Sequence, residues 1–176
     1  MIIHGGYAKR IREGDSVGFN DIDLFCTHEA LGQFCSMLSN SDYIVGRPES
    51  LLPSRAVIIL VSRKRADAVI KFDAEIVNED LYQAALNLSD TQKHKFFGMT
   101  VGVVSAASDM LIKEVCDFGN PKHAEDAQNY RNTIGNIDLN EHENFRQLWV
   151  HHISQKYKNL AKLGIYDPVS KKLRMA

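Results

Sequence analysis

The sequence predicts an α+β fold, with a mixed β-sheet flanked by helices and a helical C-terminal segment. Three observations predict it. The runs "DIDLFCT", "AVIILVS" and "AVIKFDAEIV" have the alternation or β-branched richness of strands. Between and after them, "HEALGQFCSMLSN" and "EDLYQAALNL" repeat apolar residues at helical spacing. After "MTVGVVS" the remaining pattern is helical. A chain of 176 residues, 44% hydrophobic and 24% charged, is long enough for one well-buried domain and too apolar for disorder. The expected organisation is a core over residues 1–135, with a C-terminal amphipathic helix and tail over 136–176 packed on the same domain.

In chain order, "MII" reads as a strand broken at once by "HGG", and "YAKRIRE" as a short helix. Gly14 and Gly18 mark a loop before the strand "DIDLFCT". The helix "HEALGQFCSMLSN" places Leu31, Phe34, Cys35 and Leu38 on one face. A loop rich in turn formers, with Pro48 and Pro53, spans 39–54. "AVIILVS" and "AVIKFDAEIV" form a hairpin across the charged connection "RKRAD". "EDLYQAALNL" is a helix and "MTVGVVS" a strand. Ser105 or Ser108 caps the helix through "MLIKEVC", and Pro121 suits the first turn of the next. Asn140 and Glu143 resemble a capping box for the last helix. That helix aligns Phe145, Trp149, Ile153, Leu160 and Leu163 on one face and ends at Gly164, with a frayed tail "SKKLRMA".

Composition narrows the function. A net charge of −1 gives no global basic field, so a nucleic-acid partner would have to meet a local patch. The three cysteines, Cys26, Cys35 and Cys116, fit neither a disulfide framework nor a zinc spacing and suggest a reducing interior. The expectation is a cytoplasmic protein with neither signal peptide nor membrane span. No Ser/His/Asp or Cys/His nucleophile arrangement stands out.

Asp21 and Asp23 lie one residue apart on an expected strand, so both carboxylates share a face while Ile22 and Leu24 turn to the core. Neighbouring carboxylates repel unless a cation sits between them. Magnesium suits such a place, because it takes oxygen ligands and often uses only one or two carboxylates plus substrate phosphates. A pair of ions needs a third carboxylate. In "IKFDAEIV" the residues Lys71, Asp73 and Glu75 share one face, so either acid is a candidate.

Taken in order, "GG", "DID" and the acid of "KFDAEIV" resemble the nucleotidyltransferase superfamily that includes DNA polymerase beta, the kanamycin nucleotidyltransferases and the minimal bacterial nucleotidyltransferases. The resemblance covers about residues 2–130 and implies a nucleotidyltransferase core. It also implies a magnesium-dependent enzyme, with two ions, that moves a nucleotidyl group from a nucleoside triphosphate to an acceptor hydroxyl and releases pyrophosphate. Asp21, Asp23 and Asp73 would be the metal-binding and catalytic residues, with Glu75 the competing third acid. Gly5 and Gly6 would let phosphates approach the backbone, since small residues and free helix amides suit an anion. Lys9 or Arg10 would meet a phosphate, and Lys113 would be a point charge for the triphosphate. Lys122 or Asp126 would brace the site or the helix, and no catalysis is assigned to His123. Gly6 stands where many relatives carry serine, and the gap between "GG" and "DID" is long for the family.

The acceptor is open between an RNA end, slightly favoured, a small hydroxylated molecule and a protein side chain. "RKRAD" and "SQKYKNLAK" are the basic patches available to RNA. The alternative is a non-catalytic module that keeps the fold and binds a nucleotide or a protein, the latter through the C-terminal helix. No membrane partner is expected.

Overall fold

The structure, a computed structural model, describes residues 1–14, 21–39, 42–46, 54–64, 69–90, 94–116, 121–134, 139–170 and 172–173. Gly18, Pro48, Pro53 and most of the "RKRAD" connection lie outside them. The elements run β1 (Ile2–His4), α1 (Gly5–Glu13), β2 (Ile22–Cys26), α2 (His28–Ser39), β3 (Tyr43–Gly46), β4 (Arg55–Ser62), β5 (Val69–Ile76), α3 (Glu79–Asn87), β6 (Ser89–Asp90), β7 (Lys95–Phe96), β8 (Met99–Thr100), β9 (Gly102–Val104), α4 (Ala106–Val115) and α5 (Pro121–Ile134). A 3₁₀ turn, Leu139–His142, leads into α6 (Glu143–Lys162), followed by β10 (Tyr166–Asp167) and β11 (Lys172–Leu173). Two compact units divide the chain, Met1–Val104 and Ser105–Ala176.

The first unit is built on a seven-stranded mixed sheet of order β3-β4-β5-β2-β1-β9-β6. β2 runs parallel to β5 and antiparallel to β1, and β4 returns antiparallel on β5 as the expected hairpin. Alternation explains which side chains the sheet buries. Ile22 and Leu24 of β2 and Phe72 and Ala74 of β5 are buried, whereas Asp23 and Asp73 between them stay partly open. Helix α2 turns Phe34, Cys35 and Leu38 into the core. Asn78 caps α3 by accepting from the Leu81 amide at 3.0 Å.

Some elements differ from the sequence reading. The glycines are the first turn of α1 rather than a break before it, because Gly5 takes φ +68° and lets the strand pass straight into helix. "MTVGVVS" divides, its first residues closing a small hairpin with β7 while Gly102–Val104 join the main sheet beside β1. Between Phe96 and Met99 the two central residues, Phe97 and Gly98, both have positive φ, 48° and 83°, as a tight hairpin with primed-turn geometry requires. An edge strand, β3, stands inside the expected loop.

In the second unit Ser105 caps α4, its Oγ accepting from the Ser108 amide at 3.2 Å. Pro121 opens α5, as expected. A 3₁₀ turn, Leu139–His142, precedes α6 and makes His142 its N-cap, with no cap bond from the His142 side chain. Phe145, Trp149, Ile153 and Leu160 are buried, but Leu163 is exposed, because the helix has reached its C-cap there. Gly164, at φ +71°, ends α6 with paired bonds from its amide to the Ala161 carbonyl and from Ile165 to Leu160, both 3.0 Å. Within the tail expected to fray, Lys172–Leu173 instead pair with Tyr166–Asp167.

Candidate active site

The register of three strands assembles the site. His4, the last residue of β1, lies opposite Asp23, and Asp23 lies beside Asp73 on the neighbouring parallel strand. Neighbouring strands are about 4.8 Å apart, so these two acids are close on one face of the sheet. Glu75, the competing choice, falls beside Phe25 instead. Asp21 precedes the first paired residue of β2, on a bend.

Gly5 ties the glycine corner to the acids. A Cβ at Gly5 would collide with the Asp23 Oδ2 atom and approach its Cγ at 3.2 Å. Only a glycine therefore satisfies both the positive φ and the contact. Helix α1 starts at this point with no acidic residue in its first turn. The first amides of a helix lack intrahelical partners and carry partial positive charge, which favours Asp23 and any further anion placed there.

Each of the other two aspartates is held by a base. The Arg55 guanidinium takes Asp73 in a two-point fork, its Nε donating to Oδ1 at 2.7 Å and its Nη2 to Oδ2. That bond raises the Arg55 pKa, and the charges of Glu75 and Asp21 add to it, so all three acids lie within the electrostatic reach of one guanidinium. Lys71 Nζ donates to Asp21 Oδ2 at 3.0 Å. Among the described residues no three His, Cys, Asp or Glu side chains gather into a metal-holding group. Asp73 is turned onto Arg55 and Asp21 onto Lys71. Asp23 and Asp73 supply carboxylate oxygens from adjacent strands beside a helix N-terminus, the hard oxygen-donor type that magnesium takes.

Lys9 pairs with Glu13 one turn along α1, at 3.8 Å, with both side chains partly exposed. Arg10 shares that helix. Lys113 belongs to the second unit, where it faces Asp126 at 3.7 Å. His123 Nδ1 lies 3.0 Å from the Cys116 carbonyl, and His4 stacks on Phe25.

Sequence reasoning missed Arg55 because its role depends on β4 lying against β5 in one register. It also missed a cleft of about 270 Å³ beside Asp21 and Lys71, walled by Tyr7, Phe96 and Phe97 with aliphatic residues of β2 and β5. Phe97, an aromatic residue at positive φ, belongs to a cluster with Phe96 at 4.8 Å, Tyr43 at 5.7 Å and Phe72 at 6.3 Å. The dipeptide "FG" was the available signal, since glycine marks such a turn.

No family model and no curated protein matches the chain. Among solved structures it is similar to an antigenic nucleotidyltransferase-like protein from Paracoccidioides brasiliensis, at 14% identity and a TM-score of 0.48, over 99% of this chain and 85% of that one. A likeness at that level carries neither fold nor function from one chain to the other.

Proposed function

We propose that this chain is a magnesium-dependent nucleotidyltransferase. The observation that supports the reading is the placement of Asp23 beside Asp73 at the corner where Gly5 starts α1. Like charges side by side on a sheet are destabilising, and although Arg55 offsets the charge of Asp73, the pair stands beside a helix N-terminus, where a phosphate and its cation would be favoured. Gly5 and Gly6 would admit the triphosphate to the amides of α1, with Lys9 or Arg10 meeting its outer charge. Asp23, Asp73 and Asp21 would hold two magnesium ions, which when bound stabilise charge on the phosphoryl oxygens. An acceptor oxygen would then bond to the α-phosphorus as the bond from that phosphorus to the bridging oxygen breaks. Pyrophosphate leaves, and Asp73 takes the acceptor proton. Lys113, paired with Asp126 in the second unit, is given no part in these contacts. The acceptor is a hydroxyl, with an RNA end slightly preferred over a small molecule or a protein.

The two ion pairs also favour a second reading, in which the fold is kept as a nucleotide-binding module and the acids are neutralised permanently. Incubation with each labelled triphosphate, magnesium and an RNA acceptor separates the two. The enzyme reading expects label on the acceptor from the wild type and none from Asp21→Ala/Asp23→Ala. Label transfer that survives in the double variant removes those residues from the chemistry.

A further inference from the structure

We propose that Arg55 and Lys71 are displaceable internal counter-cations, which hold the acidic site closed to divalent ions until a triphosphate arrives. The inference rests on the metal-dependent reading above. Both bases come from the sheet itself, Arg55 from β4 and Lys71 from β5, and each takes a carboxylate that the site would offer to a metal ion. They are placed to leave as well as to bind. The Arg55 and Lys71 side chains are each 41% exposed, whereas Asp73 is only 17% exposed. Asp73 is therefore the more enclosed partner of its pair, whereas Asp21, 31% exposed, differs little from Lys71, and both bases have room to swing to solvent.

The consequence is a competition. On the free protein, a divalent ion must displace a two-point guanidinium bond and an ammonium, so it binds weakly. An incoming triphosphate changes the balance. It carries oxygen ligands and negative charge of its own, and a guanidinium released from Asp73 matches a phosphate as well as it matches a carboxylate. Arg55 is thus a positioning residue: it acts through Asp73, by controlling when that carboxylate is available. Lys71 does the same for Asp21.

The test measures manganese binding to the nucleotide-free protein by isothermal titration and by the loss of the free-ion electron paramagnetic signal. Wild type, Arg55→Gln, Lys71→Gln, Arg55→Lys and Asp23→Asn are compared, each first checked for a native circular dichroism melt. Removing a competing cation is expected to tighten manganese binding about tenfold in Arg55→Gln and Lys71→Gln (about 1.4 kcal/mol). Arg55→Lys keeps the charge but loses the fork and should fall between wild type and Arg55→Gln. Asp23→Asn should weaken binding. Equal affinity in wild type and both glutamine variants, with Asp23→Asn weakened, overturns the counter-cation role while leaving the metal site standing. Absence of manganese binding in every variant overturns the metal-dependent reading and this proposal with it. If one glutamine variant fails to fold, the other and Arg55→Lys decide the question.

Discussion

At the scale of single residues, Gly5 and Arg55 carry the account. Gly5 sits at positive φ against the Asp23 carboxylate, so Gly5→Ala combines backbone strain with a collision. Chemical denaturation should show a loss of about 1–3 kcal/mol. Gly32→Ala, in the open middle of α2, is the contrasting substitution and should gain up to about 1 kcal/mol. Arg55 has its pKa raised by Asp73, so its share of the pair's stability is complete below the unfolded arginine pKa and is lost only as pH rises through the higher folded value. The stability difference between wild type and Arg55→Gln should therefore stay level from about pH 7 to 10 as far as the arginine is concerned. The thiols offer a separate check. Cys26 and Cys35 are buried, and burial pushes the Cys26 thiol up to about 12, whereas Cys116 is partly open. Since the thiolate is the reactive form, iodoacetamide at mildly alkaline pH should label Cys116 first in the folded chain and all three in denaturant.

At the scale of elements, the long strands and helices were legible in the sequence because their patterns are local. β2 and β5 show alternation in the residues themselves, α2 shows helical spacing, and the caps at Ser105 and Gly164 announce themselves by residue type. The short strands β3, β6 and β7 were not legible, because two to four residues give no period to count and only pairing with a neighbour defines them. The start of α6 was only partly legible for a related reason: the spacing of Asn140 and Glu143 gives no sign of the 3₁₀ turn over Leu139–His142 that makes His142 the N-cap. Within that helix Trp149 is buried and its indole N–H donates to the Ile112 carbonyl of α4 at 3.3 Å. Trp149→Ala should cost about 3–5 kcal/mol in a denaturation experiment. Trp149→Phe should cost about 1 kcal/mol, because the Ile112 carbonyl still accepts from the Cys116 amide.

At the scale of the whole molecule, the sheet order brings residues far apart in sequence to one place. The sequence put Asp21, Asp23 and one of two later acids on faces of their own strands. Which later acid stands beside Asp23 is a matter of register between β2 and β5, separated in the chain by α2, β3 and β4, and long-range packing alone decides it in favour of Asp73. Arg55 was invisible for the same reason. With a net charge of −1, no global field recruits an RNA acceptor, so any such contact rests on local bases and should weaken steeply with salt. Among the described residues no helix is long and apolar enough to cross a membrane. The most direct test of the central claim is the thermal shift produced by a non-hydrolysable nucleoside triphosphate, with and without magnesium, in wild type and in Asp23→Asn/Asp73→Asn. The account predicts a rise in Tm that requires magnesium and disappears in the double variant. A rise of equal size without magnesium, or one that the double variant retains, would contradict it.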